Sequence, residues 1–458
     1  VSVGSVELFM PAPRRLSARS VFTVAVLGSS FVAFAPSVLA DQKAADAPAA
    51  AAQAATKLSR EEIRSRVQGF YKVYETLPQF EGQPTPEQME TIQKTLAEAA
   101  NKALEGIDLA TLDTESLRGL GPILQASPDA RAKVSEMFTK AAAAPTAEGF
   151  AAAVDLIQFS DPTAGMPTDR VLAALDHPGA VDGFRAGKGR DILFMLDQMP
   201  PDALKSRADR LASLAGTLDD KASNEAFFAA PSLAKVLSSA LSKAEFEPIR
   251  SQLAKQASTR AEAAKDEQER KMMSRVAARL NGAELRGELV GFPAPKMTFS
   301  WVRPGENVAT WSSLGDLKGK VVVLDFWATW CGPCVASFPQ IKELRAEFPT
   351  DQVEIIGVTS LQGRVFHRGK PPVDCKGDAA KEKAEMEIYA KDMGVTWTIA
   401  MTEEDVFNPD FGIDGIPFVA IIGPDGKVAK TGLHPMNHDE IKSTIAELLK
   451  SRTTAAAQ

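Results

Sequence analysis

The chain has 458 residues, enough for two or three domains, and an ordinary soluble composition of 45% hydrophobic and 24% charged residues. A formal net charge of −7 leaves no basic footprint and argues against nucleic acid or anionic lipid as a partner. The three cysteines are too few for a disulfide scaffold, and all of them, like all five tryptophans, lie beyond residue 300.

Residues 1–40 read as a signal peptide. Arg14, Arg15 and Arg19 form its positive region, 21–35 is a short apolar run, and Val38-Leu39-Ala40 offers small residues for cleavage before Asp41. The run is well under the ~20 residues a bilayer span needs, so cleavage is expected over an uncleaved anchor. The mature protein is then expected in an oxidising compartment, most simply a periplasm. Residues 41–58, rich in alanine, read as a flexible linker.

Residues 59–287 carry the signature of an all-helical domain. Ser59 and Glu62 make a capping-box pattern ahead of Val67, Phe70 and Tyr74 at helical spacing, and Thr85-Pro86-Glu87 and Ser127-Pro128 open further helices. Residues 245–280 read as one long or once-broken helix. Its charged run from Arg260 to Arg279 is expected to be a solvated face, or else a connector that fixes domain spacing. No chemistry is assigned to this domain, and partner binding or positioning of the C-terminal part of the chain is its expected role.

Residues 288–452 change to strands alternating with helices, before a short tail at 453–458. Strands are expected at 297–302, Val321–Phe326, Val353–Ser360 and Phe418–Ile422, the last forming a hairpin with 427–431 around Pro424-Asp425-Gly426. Helices are expected at 335–348, 379–393 and 441–450. The whole is therefore multidomain, an N-terminal all-α part followed by a C-terminal α/β domain.

Within the second part, Cys331-Gly332-Pro333-Cys334 falls where a buried strand meets a helix start. That position sets the first sulfur against unsatisfied helix N–H groups, which favour thiolate, the nucleophilic form. Cys331 is expected to attack a substrate disulfide and Cys334 to resolve the mixed disulfide. A structural zinc half-site would need two further ligands, and only Cys375 and four histidines remain, none forming a second ligand pair nearby; no metal is expected. Cys375 itself lies in a polar insertion, 361–378, where a lone thiol is most often a bystander. His434 and His438 are expected to be solvent-exposed or capping.

The segment 319–334, GKVVVLDFWATWCGPC, resembles the thioredoxin superfamily. With Ala294-Pro295, Leu317-Lys318-Gly319-Lys320 and Gly415-Ile416-Pro417-Phe418, it resembles the exported thiol reductase branch of that superfamily, the TlpA/ResA-like family. The resemblance covers 292–450, about a third of the chain. It implies a thioredoxin-like fold and an exported thiol–disulfide oxidoreductase without cofactor. Implied substrates are disulfide-containing exported proteins, apocytochromes c among them, and the implied electron donor is an integral-membrane carrier. It further implies a cis peptide at Pro417 facing the cysteines, with Ile416 offering backbone groups to substrate, Trp327 packed in the core, and Trp330 on an exposed rim with Gly332 and Pro333. A disulfide oxidase or isomerase, or a partner-binding redox sensor, are the alternatives.

The sequence departs from that family at two positions. Asp325 stands where asparagine is common, and Ser337 where glutamate is common. Asp325 matches the buried aspartate of cytoplasmic thioredoxins and is expected to accept the Cys334 proton, with a pKa raised by burial.

Overall fold

A computed structural model describes residues 56–78, 85–159 and 167–456. The expected signal peptide and most of the linker lie outside the described residues. The chain divides into two compact units between Pro200 and Pro201, inside the helical stretch.

In the first unit the described elements are helices. Ser59 and Glu62 close a reciprocal cap on Arg60–Tyr71, Thr85 and Gln88 do the same for Pro86–Ala103, and Ser127 accepts the Ala130 N–H at the start of Pro128–Ala141. Val67, Phe70, Ile92, Leu96, Val134 and Phe138 are buried in one core. Asp155 is fully buried and is held by Arg118, whose Nε and Nη2 donate at 2.7 and 2.9 Å. His177 links Ala142 O and the Gly179 N–H through its two ring nitrogens, a structural role.

The second unit opens with four short helices from Pro201 to Ala240 and a helical hairpin, Lys243–Ala263 and Glu267–Leu280. Of the two readings of 245–280, one long helix or a once-broken one, the structure has the second, with the break at 264–266. The charged run is only partly a solvated face. Arg260 stacks over Phe227 at 4.1 Å and donates to Asn224, Asp219 O and Ala222 O, and Arg279 is 5% exposed. Long arginine stems bury readily where the guanidinium finds acceptors, and both of these do.

The six-stranded sheet that follows is made of β1 (Phe299–Arg303), β2 (Val321–Phe326), β3 (Val353–Ser360), β6 (Thr398–Thr402), β7 (Phe418–Ile422) and β8 (Val428–Leu433), in the order β1-β6-β3-β2-β7-β8. β4 (Arg364–Val365) and β5 (Val373–Asp374) pair separately in the insertion. β2, β3 and β6 are parallel, and β1, β7 and β8 run antiparallel to their neighbours. β2 lies centrally with all six residues buried, which suits a run that is apolar except at Asp325; each fully buried valine or leucine there contributes about 1.5–3 kcal/mol.

Alternation along β2 divides the core. Val321 and Val323 face a cluster with Cys331, Cys334, Phe338, Tyr389 and Ile441. Val322, Leu324 and Phe326 face Ala283, Leu289, Val406 and Phe411. The helix expected at 335–348 is two pieces, Gly332–Ala336 and Phe338–Glu347, broken at Ser337. Pro339 has no N–H for the Val335 carbonyl, so the ladder is interrupted there. Among the described residues no helix is long and apolar enough to cross a membrane.

Candidate functional site

β2 ends at Phe326, and the Trp327 N–H still donates to Val358 O of β3, so the strand holds the chain in line up to the turn. The turn closes with the Cys331 N–H on Ala328 O, and Cys331 becomes the N-cap of Gly332–Ala336, with Pro333 in the first turn. The missing N–H of that proline costs the helix nothing at this position. Cys331 Sγ lies 3.2 Å from the Cys334 N–H, and the two cysteines form a disulfide with Cα atoms 5.3 Å apart.

The Ile416–Pro417 peptide is cis, and Ile416 O lies 3.7 Å from Cys331 Sγ. Trp330 is 44% exposed, and Gly332 and Pro333 are also exposed, while Cys331 and Cys334 are 4% and 1% exposed. The sulfurs are thus nearly covered, with the exposed Trp330, Gly332 and Pro333 adjoining them in the chain and Ile416 O beside Cys331. Trp327 is fully buried and packs on Phe338 and Tyr389.

Asp325 is 1% exposed, and neither carboxylate oxygen has a hydrogen-bond partner. Burial pushes its pKa up to about 7. Ser337, where the related family commonly has glutamate, is buried and donates its hydroxyl to Cys334 O at 2.8 Å. Asp325 is therefore the buried carboxyl on this strand, on the sheet face that carries the cysteines.

Two features around the site were not anticipated from sequence. Gly357, the β3 partner of Asp325, leaves room for two indoles: a Cβ there would lie 2.8 Å from Trp327 Nε1 and 3.0 Å from Trp397 Nε1. Both indole N–H groups are buried without partners, so a carboxyl and two donors lacking hydrogen bonds cluster at one point of the sheet. A glycine in the middle of a strand is the available signal, since it marks close approach. The insertion is also bolted to the motif. Gln362 Oε1 accepts from the Thr329 N–H and hydroxyl at 3.0 and 2.6 Å, and Glu382 accepts from the N–H groups of Gln362 and Gly363.

The insertion buries Cys375 to 2% exposure in the core cluster that includes Cys331 and Cys334, and burial raises its thiol pKa. His434 Nδ1 accepts the Met436 N–H, a capping role. No group of metal-ligating side chains occurs among the described residues.

Comparison with known proteins places this geometry. The Redoxin family profile matches residues 290–449. Thiol-disulfide oxidoreductase ResA of Geobacillus thermodenitrificans is 28% identical over 159 residues, 35% of this chain and 78% of that protein. ResA of Bacillus subtilis is 28% identical over 130 residues, 28% of this chain and 62% of its own length. Among solved structures, the exposed lipoprotein thioredoxin of Streptococcus pneumoniae is 27% identical, covering 33% of this chain and 99% of that one with a TM-score of 0.25. The helical residues before 290 lie outside the family match.

Proposed function

We propose, from the premise that residues 290–449 are a redoxin-type thiol–disulfide oxidoreductase domain, that the chain works outside the cytoplasm as a periplasmic reductase of disulfides in exported proteins. The observation that carries this reading is the N-cap position of Cys331, with its sulfur on the Cys334 N–H and beside Ile416 O. In the reduced chain that N–H stabilises a Cys331 thiolate. The thiolate attacks one sulfur of the substrate disulfide, forms a mixed disulfide and expels the other sulfur as thiolate. Cys334 then gives its proton to Asp325 and attacks Cys331 Sγ, which closes the Cys331–Cys334 disulfide and releases the second substrate thiolate. Substrate gains two electrons and the chain loses two. A thiol-reducing membrane carrier returns them.

Support for Asp325 as acceptor comes from its burial, its sheet face and a pKa of about 7, which lets it take and release a proton near neutrality. Support for Trp330, Gly332, Pro333, Ile416 and Pro417 as the substrate rim comes from their placement around a nearly covered disulfide. Exported proteins with paired cysteines, such as apocytochromes c, fit this substrate class.

Insulin reduction by the full chain tests the reading. Wild type should turn over, Cys331→Ser should not, and Cys334→Ala should accumulate mixed disulfides with its substrates. A wild type without turnover, or a reduction potential above about −150 mV, would overturn the reductase assignment.

A further inference from the structure

We propose that Arg279 is a positioning residue for substrate binding: from the helical hairpin it fixes the 405–417 loop and so sets where the Ile416–Pro417 peptide stands beside Cys331. This inference rests on the reading of the domain as a disulfide reductase.

Arg279 occupies the last turn of the Glu267–Leu280 helix. Its Nε donates to Asp414 Oδ1 at 2.7 Å, and its Nη2 donates to Asp414 Oδ2 at 3.1 Å, to Gly412 O at 2.9 Å and to the Glu284 carboxylate. One planar guanidinium therefore ties the end of the helix to two residues of the loop, a geometry that the single ammonium of lysine cannot reproduce. Backbone approach reinforces the tie. A Cβ on Gly282 would lie 2.1 Å from Pro409 O, and one on Gly412 would lie 2.5 Å from the Glu284 carboxylate. At the near end of the loop, Arg275 Nη2 donates to Asp405 Oδ2 at 2.7 Å. The underside of the loop is apolar: Val406, Phe411 and Ile413 are buried with Ala283 and Leu289.

The same loop supplies the substrate face at two places. Phe407 stands 6.4 Å from the half-exposed Trp330, ring centre to ring centre. Ile416 O, two residues past the carboxylate that Arg279 grips, stands beside Cys331 Sγ. A protein disulfide must lie along this backbone, whereas a small aromatic disulfide need only reach the sulfur. Misplacing the loop therefore weakens the first and spares the second.

The test compares full-length wild type with Arg279→Ala, Arg279→Lys, Asp414→Asn and the double variant Arg279→Ala/Asp414→Asn, using insulin and 5,5′-dithiobis(2-nitrobenzoate) as substrates. Arg279→Ala should raise KM for insulin roughly tenfold, the equivalent of about 1.4 kcal/mol of lost binding. Its kcat, and its rate with the small disulfide, should stay within about twofold of wild type, the pattern of lost uniform binding. Asp414→Asn should shift KM in the same direction, the double variant should add nothing further, and Arg279→Lys should restore part of the affinity. A folded Arg279→Ala with wild-type KM for insulin, or one that slows both substrates equally, would overturn the proposal. If Arg279→Ala does not fold, unchanged KM in both Arg279→Lys and Asp414→Asn would overturn it instead. Wild type inactive on insulin would count against the reductase reading, whereas active wild type with an indifferent Arg279 counts against this inference alone.

Discussion

Replacing Asp325 by asparagine removes a buried group that binds a proton in the native chain at pH values where the unfolded chain releases it. Burial moves the carboxyl from its ordinary value of 3.8 to about 7. At 1.36 kcal/mol per pH unit, the difference is worth about 4 kcal/mol of stability, as an upper figure. Below the unfolded value both states are protonated and nothing is lost. As pH rises from 3.8 to about 7, the native state holds a proton that the unfolded state has given up, so wild-type stability falls across that window and then levels. The amide that replaces the carboxyl does not titrate. The oxidised Asp325→Asn variant should match wild type at about pH 4 and exceed it by up to about 4 kcal/mol at about pH 8. All five tryptophans lie beyond residue 300, so tryptophan fluorescence during urea unfolding reports on this domain and not on the helices before it. The catalytic counterpart points the other way. Without the acceptor, resolution of the mixed disulfide should slow by roughly a hundredfold and lose its rise with pH centred near 7. Parallel stability profiles for the two proteins, together with an unchanged pH dependence of reduction, would refute the assignment.

Three further outcomes follow from the packing. Gly357→Ala drives a Cβ to 2.8 Å from Trp327 Nε1 and 3.0 Å from Trp397 Nε1, and should cost about 1–3 kcal/mol in urea unfolding followed by tryptophan fluorescence. Cys375, 2% exposed, should label with a thiol reagent only after unfolding of the oxidised chain, and Cys375→Ser should keep wild-type insulin reduction; rapid native labelling would refute its placement. Arg118→Ala leaves the fully buried Asp155 without its partner and should cost about 1–3 kcal/mol, read by helix melting in circular dichroism.

The parts of the molecule legible in sequence were those fixed by short-range chemistry. Val321–Phe326 announced a central strand because a nearly unbroken apolar run suits burial on both faces, and Ser59, Thr85 and Ser127 announced helix starts because their side chains cap the next turn. The cysteine motif was legible for the same reason, since its helix start lies within the motif. Other features depend on partners far along the chain. Thr398–Thr402 carries no long apolar run, yet it is a fully buried strand because β3 and β1 flank it. The break at Ser337 was written in Pro339 but masked by the apolar spacing on either side. Arg279 reads as one charge in a solvated row, and its burial depends on Gly412 and Asp414, the latter 135 residues onward, together with Glu284. The cluster of Asp325, Trp327 and Trp397 requires three elements to meet at Gly357, which no local pattern encodes.

The division at Pro200/Pro201 also bears on how the protein can be dissected. A fragment begun near residue 288, where helix gives way to strand, would discard Arg279, Gly282 and Ala283. Asp414 and Gly412 O would then face water without their donor, and one edge of the apolar layer beneath Phe411 would be stripped. Such a fragment keeps the two cysteines and loses the brace on the loop beside them. A fragment begun at Pro201 keeps both the cysteines and the Arg279–Asp414 brace.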